Sequence, residues 1–129
     1  MVNYQSLIGR SWEYGKTDCY SLMKDYYQLL GIQLPEYVRP LKLETCDSVF
    51  LEQLPKRGFK KIPLNERLPN DVLLMRIGTR NPMHAAILLP NERILHQKRN
   101  SLSRIEPFNA YYVKRTEAVY RYATGHTPR

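Results

Sequence analysis

Three residues of this chain could act together as a nucleophile and its base: Cys19, His84 and His96. Cys19 opens a stretch in which Cys19, Leu22, Met23, Tyr26, Leu29 and Leu30 recur at helical spacing. A cysteine at a helix start faces backbone amides whose partial positive charge favours the thiolate, the nucleophilic form. The same amides can hold an oxyanion, as acyl transfer requires. Asp18, just before it, is a good N-cap, although its carboxylate offsets part of that positive field. His84 begins a run of β-formers and could serve there as a general base with a pKa near neutrality. His96 lies on the next such run and can orient and polarise His84 when the two share a sheet face. A loop of three or five residues around Pro90 pairs His84 with His96 on one face. A loop of two or four puts them on opposite faces, and the sequence leaves this parity open.

Each of these residues also has a plainer reading. A cysteine at a helix start is usually a packing residue, His84 can be structural, and His96 can be a surface histidine between Leu95 and Gln97. One cysteine with two histidines is a possible zinc set, but no H-E-x-x-H or paired-cysteine spacing accompanies it. No metal is therefore expected.

The elements that must position these groups follow from local pattern. The first clear helix spans about Cys19 to Leu30, with Gly31 as its C-terminal stop and Ile32 packing back on it. A short helix is expected before it, around Tyr4 to Gly9. Gln33 to Leu41 holds Pro35 and Pro40 and reads as a connecting loop. A second helix is expected from Cys46 to Leu54, capped by Thr45 and ended by Pro55 and Gly58. Cys46 is expected to pack in it, and a Cys19–Cys46 disulfide would silence the nucleophile. Val72 to Ile77, Met83 to Leu89, Arg93 to Gln97 and Glu117 to Tyr122 read as strands, with Ser101 to Ile105 as a further one. Helices followed by strands indicate an α+β fold: an antiparallel sheet with the helices on one side. Thr124 to Arg129, including His126, reads as a frayed tail.

Composition bounds the remaining possibilities. At 129 residues, 43% hydrophobic and 25% charged, the chain has the make-up of one globular domain. No apolar run is long enough to span a membrane, and Met1 to Arg10 lacks the basic-then-apolar pattern of a secretory signal. The net charge of +8 suits an anionic surface. Its basic groups, Lys56-Arg57 with Lys60-Lys61, Lys98-Arg99 with Arg104, and Lys114-Arg115, are scattered, and no nucleic-acid-binding motif accompanies them. Nucleic acid is therefore not the expected partner.

Four segments recur in a familiar order: Gly15-Lys16-Thr17-Asp18-Cys19-Tyr20, Asn70-Asp71-Val72-Leu73, Met83-His84-Ala85-Ala86-Ile87-Leu88 and Ile94-Leu95-His96. Their order and spacing, with His96 twelve residues after His84, resemble the NlpC/p60 family of papain-like cell-wall cysteine peptidases over about Trp12 to His96. Trp12-x-x-Gly15-x-x-Asp18-Cys19-Tyr20 with Asp25-Tyr26-Tyr27 is similar to one branch of that family, in the tail-tip assembly proteins of long-tailed bacteriophages. Ser103-Arg104 and Val119-Tyr120-Arg121-Tyr122 are similar to that branch as well.

The resemblance implies a papain-like α+β fold with N-terminal helices packed on an antiparallel sheet, as a single peptidase domain over residues 1–129. Such proteins often carry a metalloprotease-like domain upstream, for which this chain has no room. By resemblance Cys19 is the nucleophile, His84 the base and His96 the orienting residue, while Trp12, Asp18 and Tyr20 are expected at the substrate. The implied reaction is hydrolysis of an amide bond in peptidoglycan stem peptides, next to D-glutamate, with no metal or organic cofactor. The implied partners are stem peptides and phage tail-tip proteins, and the implied location is a virion tail tip made in the host cytoplasm. The alternative is a non-catalytic assembly module that keeps the fold and docks to other tail proteins. Two departures from the family pattern stand out. Asp-Cys-Ser-Gly becomes Asp18-Cys19-Tyr20-Ser21, with a bulky residue beside the nucleophile, and Gly-Asp becomes Asn70-Asp71.

Overall fold

Caps at both ends define the helix that carries Cys19. The computed structural model describes residues 3–35 and 49–122. Helix α1 runs Cys19–Leu29, and the Asp18 carboxylate accepts the Ser21 amide at its start. At its end Gly31 takes a φ of 85°, a left-handed conformation that suits glycine. Its amide bonds the Gln28 carbonyl, and the Ile32 amide bonds the Tyr27 carbonyl, which together make the paired C-terminal closure that stops a helix. The buried face is rotated from the expected one. Tyr20, Leu22, Met23, Tyr26 and Tyr27 lie in the core, whereas Leu29 is 46% exposed.

The N-terminal segment forms a single 3₁₀ turn at Gln5–Leu7 in place of the expected short helix. Of the second expected helix, α2 (Val49–Gln53) is seen, and a 3₁₀ turn at Pro55–Arg57 follows it. Thr45, Cys46, residues 36–41 of the proline-bearing loop and the tail with His126 lie outside the described residues.

Among the described residues six antiparallel strands form one sheet: β1 (Phe59–Ile62), β2 (Val72–Met75), β3 (His84–Leu89), β4 (Arg93–His96), β5 (Arg104–Pro107) and β6 (Thr116–Tyr122). Their order across the sheet is β1-β6-β2-β3-β4-β5. As expected, the N-terminal helix packs on one face of the antiparallel sheet, and a further, C-terminal helix covers the other face as well. One face packs Val72, Leu74, Ala85, Ile87, Leu89 and Leu95 against α1. The other packs Leu73, Met75, Ala86, Leu88 and Ile94 under Phe108 and Tyr112. Tyr112 belongs to a third helix, α3 (Ala110–Arg115), which Asn109 caps by accepting the Tyr112 amide. With both faces covered, every residue of β2 and β3 is buried, and these strands read as continuous apolar runs.

The β3–β4 loop settles the parity left open by the sequence. It is the three residues Pro90, Asn91 and Glu92, with Asn91 and Glu92 in left-handed conformations. Its centre is one residue later than Pro90, so His96 stands opposite Ala86 and not directly opposite His84. The two-residue offset keeps both histidines on one face, that of Ala86 and Tyr112.

Candidate active site

Cys19 is held at the N-terminus of α1 by a small clamp. Asp18 uses both carboxylate oxygens on backbone amides: one accepts Ser21 at 2.9 Å, the other Gly15 at 2.8 Å. The Gly15 amide reaches Asp18 because residues 13–17 double back, with Glu13 and Thr17 paired and Gly15 at a φ of 86°. Cys19 is half-buried, and its thiol donates to the Met83 carbonyl at 3.6 Å. Met83 immediately precedes His84, so the start of α1 rests on the start of β3.

Behind that contact lies a line of polar groups. His84 Nε2 is 2.9 Å from His96 Nδ1, and the two rings meet edge to face. His96 Nε2 is 2.6 Å from Glu106 Oε2, which also accepts the Tyr112 hydroxyl at 2.9 Å. His96 is fully buried, which overturns the reading of it as a surface histidine. Both its ring nitrogens are engaged, one by His84 and one by Glu106, so it has no lone pair to share with Cys19 at a zinc ion.

Glu106 and Tyr112 are the residues that sequence reasoning missed. Glu106 stands opposite Ile94 in the β4–β5 pairing, which puts it on the same face as His96. That register was the available signal, but β5 is displaced from the expected 101–105 run. The helix carrying Tyr112 is capped by Asn109, an ordinary N-cap residue that flags it only in retrospect.

Burial holds His84 well below its usual pKa of 6.5, and His96 and the Lys98 ammonium push it the same way. Burial lowers His96 too, only partly offset by its hydrogen bond and attraction to Glu106. For Glu106, burial raises the pKa, but the hydrogen bonds from His96 and Tyr112 outweigh it and the net shift is downward. Both histidines are therefore neutral in the fold at neutral pH. A group with a depressed folded pKa contributes stability that is intact above its unfolded pKa and lost as pH falls. The melting temperature is expected to drop as pH is lowered from 7.5 toward 5, and Glu106 adds to the loss at still lower pH. Thermal melts across that range check this, and His84→Asn should flatten the dependence.

The residues expected at the substrate separate. Trp12 is half-buried and stacked on Tyr14 at 6.0 Å, in the loop that leads to Asp18. Asp18 is 4% exposed and acts as the cap and clamp described above. Tyr20 is 2% exposed, packs 6.0 Å from the Phe50 ring and donates its hydroxyl to the Pro35 carbonyl. It is a core residue, which corrects its expected place at the substrate. Successive helix residues point about 100° apart, so a bulky neighbour of Cys19 can face inward. Among the described residues no helix is long and apolar enough to cross a membrane.

Comparisons with known proteins bear on the family and the fold. The NlpC/P60 family profile matches residues 9–121. Tail tip assembly protein K of Escherichia phage lambda is 35% identical over 117 residues, 90% of this chain and 59% of that protein. Tail tip assembly protein K of Escherichia phage N15 is 28% identical over 122 residues, 90% of this chain and 49% of that protein. The chain thus spans only half to three fifths of these relatives' length. Among solved structures, a lipoprotein-like NLP/P60-family protein of Staphylococcus aureus superposes with a TM-score of 0.66 at 18% identity, covering 93% of this chain and 39% of the other. NlpC2 of Trichomonas vaginalis gives 0.65 at 19% identity, covering 93% and 43%.

Proposed function

The chain belongs to the NlpC/P60 family, and from that premise we propose that it is a cysteine peptidase with Cys19 as nucleophile and His84 as base. Its substrate is an amide bond in peptidoglycan stem peptides, next to D-glutamate. It acts at a phage tail tip, among other tail-tip proteins, where local wall cleavage aids genome entry. The observation that carries this reading is the run of contacts from the Cys19 thiol to the carbonyl before His84, and from His84 through His96 to Glu106. Such an order of nucleophile, base and orienting groups is the working arrangement of acyl-transfer enzymes.

The reaction follows from these groups. His84 takes the Cys19 proton as the sulfur attacks the substrate carbonyl. The Cys19 amide, beside its own thiol at the start of α1, donates to the oxyanion. His84 then gives its proton to the leaving amine, and a thioester remains on Cys19. Water, deprotonated by His84, attacks the thioester and releases the carboxylic acid, and the thiol regains its proton. The positive charge of the chain favours approach to the anionic wall.

The names of the phage relatives favour one second reading, a tail-assembly module that keeps the fold without turnover. One experiment separates the two. The protein and its Cys19→Ala variant are incubated with a purified stem peptide containing the D-glutamyl bond, and products are read by mass spectrometry. The peptidase reading expects cleavage by the parent protein only. An intact peptide in both reactions favours the assembly reading.

A further inference from the structure

We propose that Glu106 is a positioning residue for the Cys19–His84 pair, setting which nitrogen of His84 is available as the base. The inference rests on the reading of Cys19 and His84 as nucleophile and base.

An ionised carboxylate can only accept hydrogen bonds. Glu106 Oε2 lies 2.6 Å from His96 Nε2, so that nitrogen carries the proton. A neutral imidazole has one N–H, which makes His96 Nδ1 an acceptor. The 2.9 Å contact between His96 Nδ1 and His84 Nε2 is then donated by His84. Neutral His84 thus has its proton on Nε2, and Nδ1 keeps the lone pair that takes the thiol proton.

The surroundings hold this order in place. The Tyr112 hydroxyl donates to the same Glu106 oxygen, and the Lys98 ammonium sits over the Tyr112 ring, 5.7 Å from its centroid. Both favour an ionised Glu106. The Glu106 carboxyl is partly exposed whereas His96 is fully buried, so the chain of hydrogen bonds runs from a solvated anion inward. Without the carboxylate, His96 can carry its proton on Nδ1. His84 Nε2 must then accept, its proton moves to Nδ1, and the base is lost. A wrong tautomer of the catalytic imidazole is a known route to large loss of turnover.

Long-range proton–nitrogen correlation spectra of the histidine rings at pH 7.5 read the tautomers directly. The parent protein is expected to have both His84 and His96 protonated on Nε2 with Nδ1 bare. In Glu106→Gln a His96 form protonated on Nδ1 should appear, and alkylation of Cys19 should slow by about tenfold or more. A parent spectrum with His84 protonated on Nδ1 would overturn the proposal, as would a Glu106→Gln spectrum unchanged from the parent. Should Glu106→Gln not fold, the parent spectrum decides alone. Failure of the underlying nucleophile–base reading appears elsewhere, as Cys19 alkylation that His84→Ala does not change.

Discussion

His84→Ala is expected to lower stem-peptide turnover by about 10²–10⁴-fold, the usual contribution of a positioned general base. No other residue described here can take its place. His96 has one nitrogen toward His84 and the other on Glu106, and the Cys19 thiol rests on the carbonyl next to His84. His96→Ala should be milder, about 10–100-fold, because His84 keeps its lone pair but loses its orientation, as when an outer partner of a ligating histidine is removed. Steady-state kinetics on the stem peptide, with melting curves to confirm that each variant folds, check both. The acid limb of kcat/KM should lie below pH 6.5, since burial, His96 and Lys98 keep His84 in its base form there.

The second large effect concerns stability. Asp71→Ala is expected to destabilise the fold by about 1–3 kcal/mol, the range for taking away the partner of hydrogen-bonded polar groups, while Arg121 is exposed enough to be rehydrated. Asp71 is 1% exposed. Its carboxylate accepts Arg121 Nε and a terminal guanidinium nitrogen, each at 2.9 Å, and the Leu68 amide at 2.8 Å. Arg121 belongs to β6 and also donates to the Glu66 carbonyl at 3.0 Å. The pair therefore ties the turn before β2 to the neighbouring strand. That turn is exacting: Asn70 takes a φ of 79°, its side chain accepts the Tyr26 hydroxyl at 2.5 Å, and its carbonyl accepts the Tyr27 hydroxyl. The consequence reaches the site, because β2 pairs with β3 and sets Met75 opposite His84. Urea denaturation measures the loss, and Asp71→Asn, which keeps the shape but not the charge, should lose less.

The same turn illustrates what could be read in advance. Asn70-Asp71 departs from the Gly-Asp that the family resemblance implies, and the positive φ shows how asparagine can serve there, since it tolerates that conformation better than most residues. Helix α1 was legible to within a residue because its limits are set locally, by Asp18 and by Gly31. Which of its residues are buried was less so, because tertiary packing chose Tyr20 and Tyr27 over Leu29. Strand β1 was missed because Lys60 and Lys61 occupy its exposed positions on a sheet edge, where charge discourages further pairing. Cys19, His84 and His96 could be nominated from type and spacing, but their shared face depended on a loop whose length and centre the sequence leaves open. Glu106 escaped nomination because it lies just beyond the strand expected at 101–105, and the observed β4–β5 register is what brings it to His96.

The most direct test of the central claim is the iodoacetamide alkylation rate of Cys19 from pH 5 to 9, in the parent protein and in His84→Ala. Peptide mapping separates Cys19 from Cys46. Pairing with His84 predicts a fast rate that persists below pH 7 and is lost in His84→Ala. A slow Cys19 with the profile of an ordinary thiol, unchanged by the substitution, would contradict it.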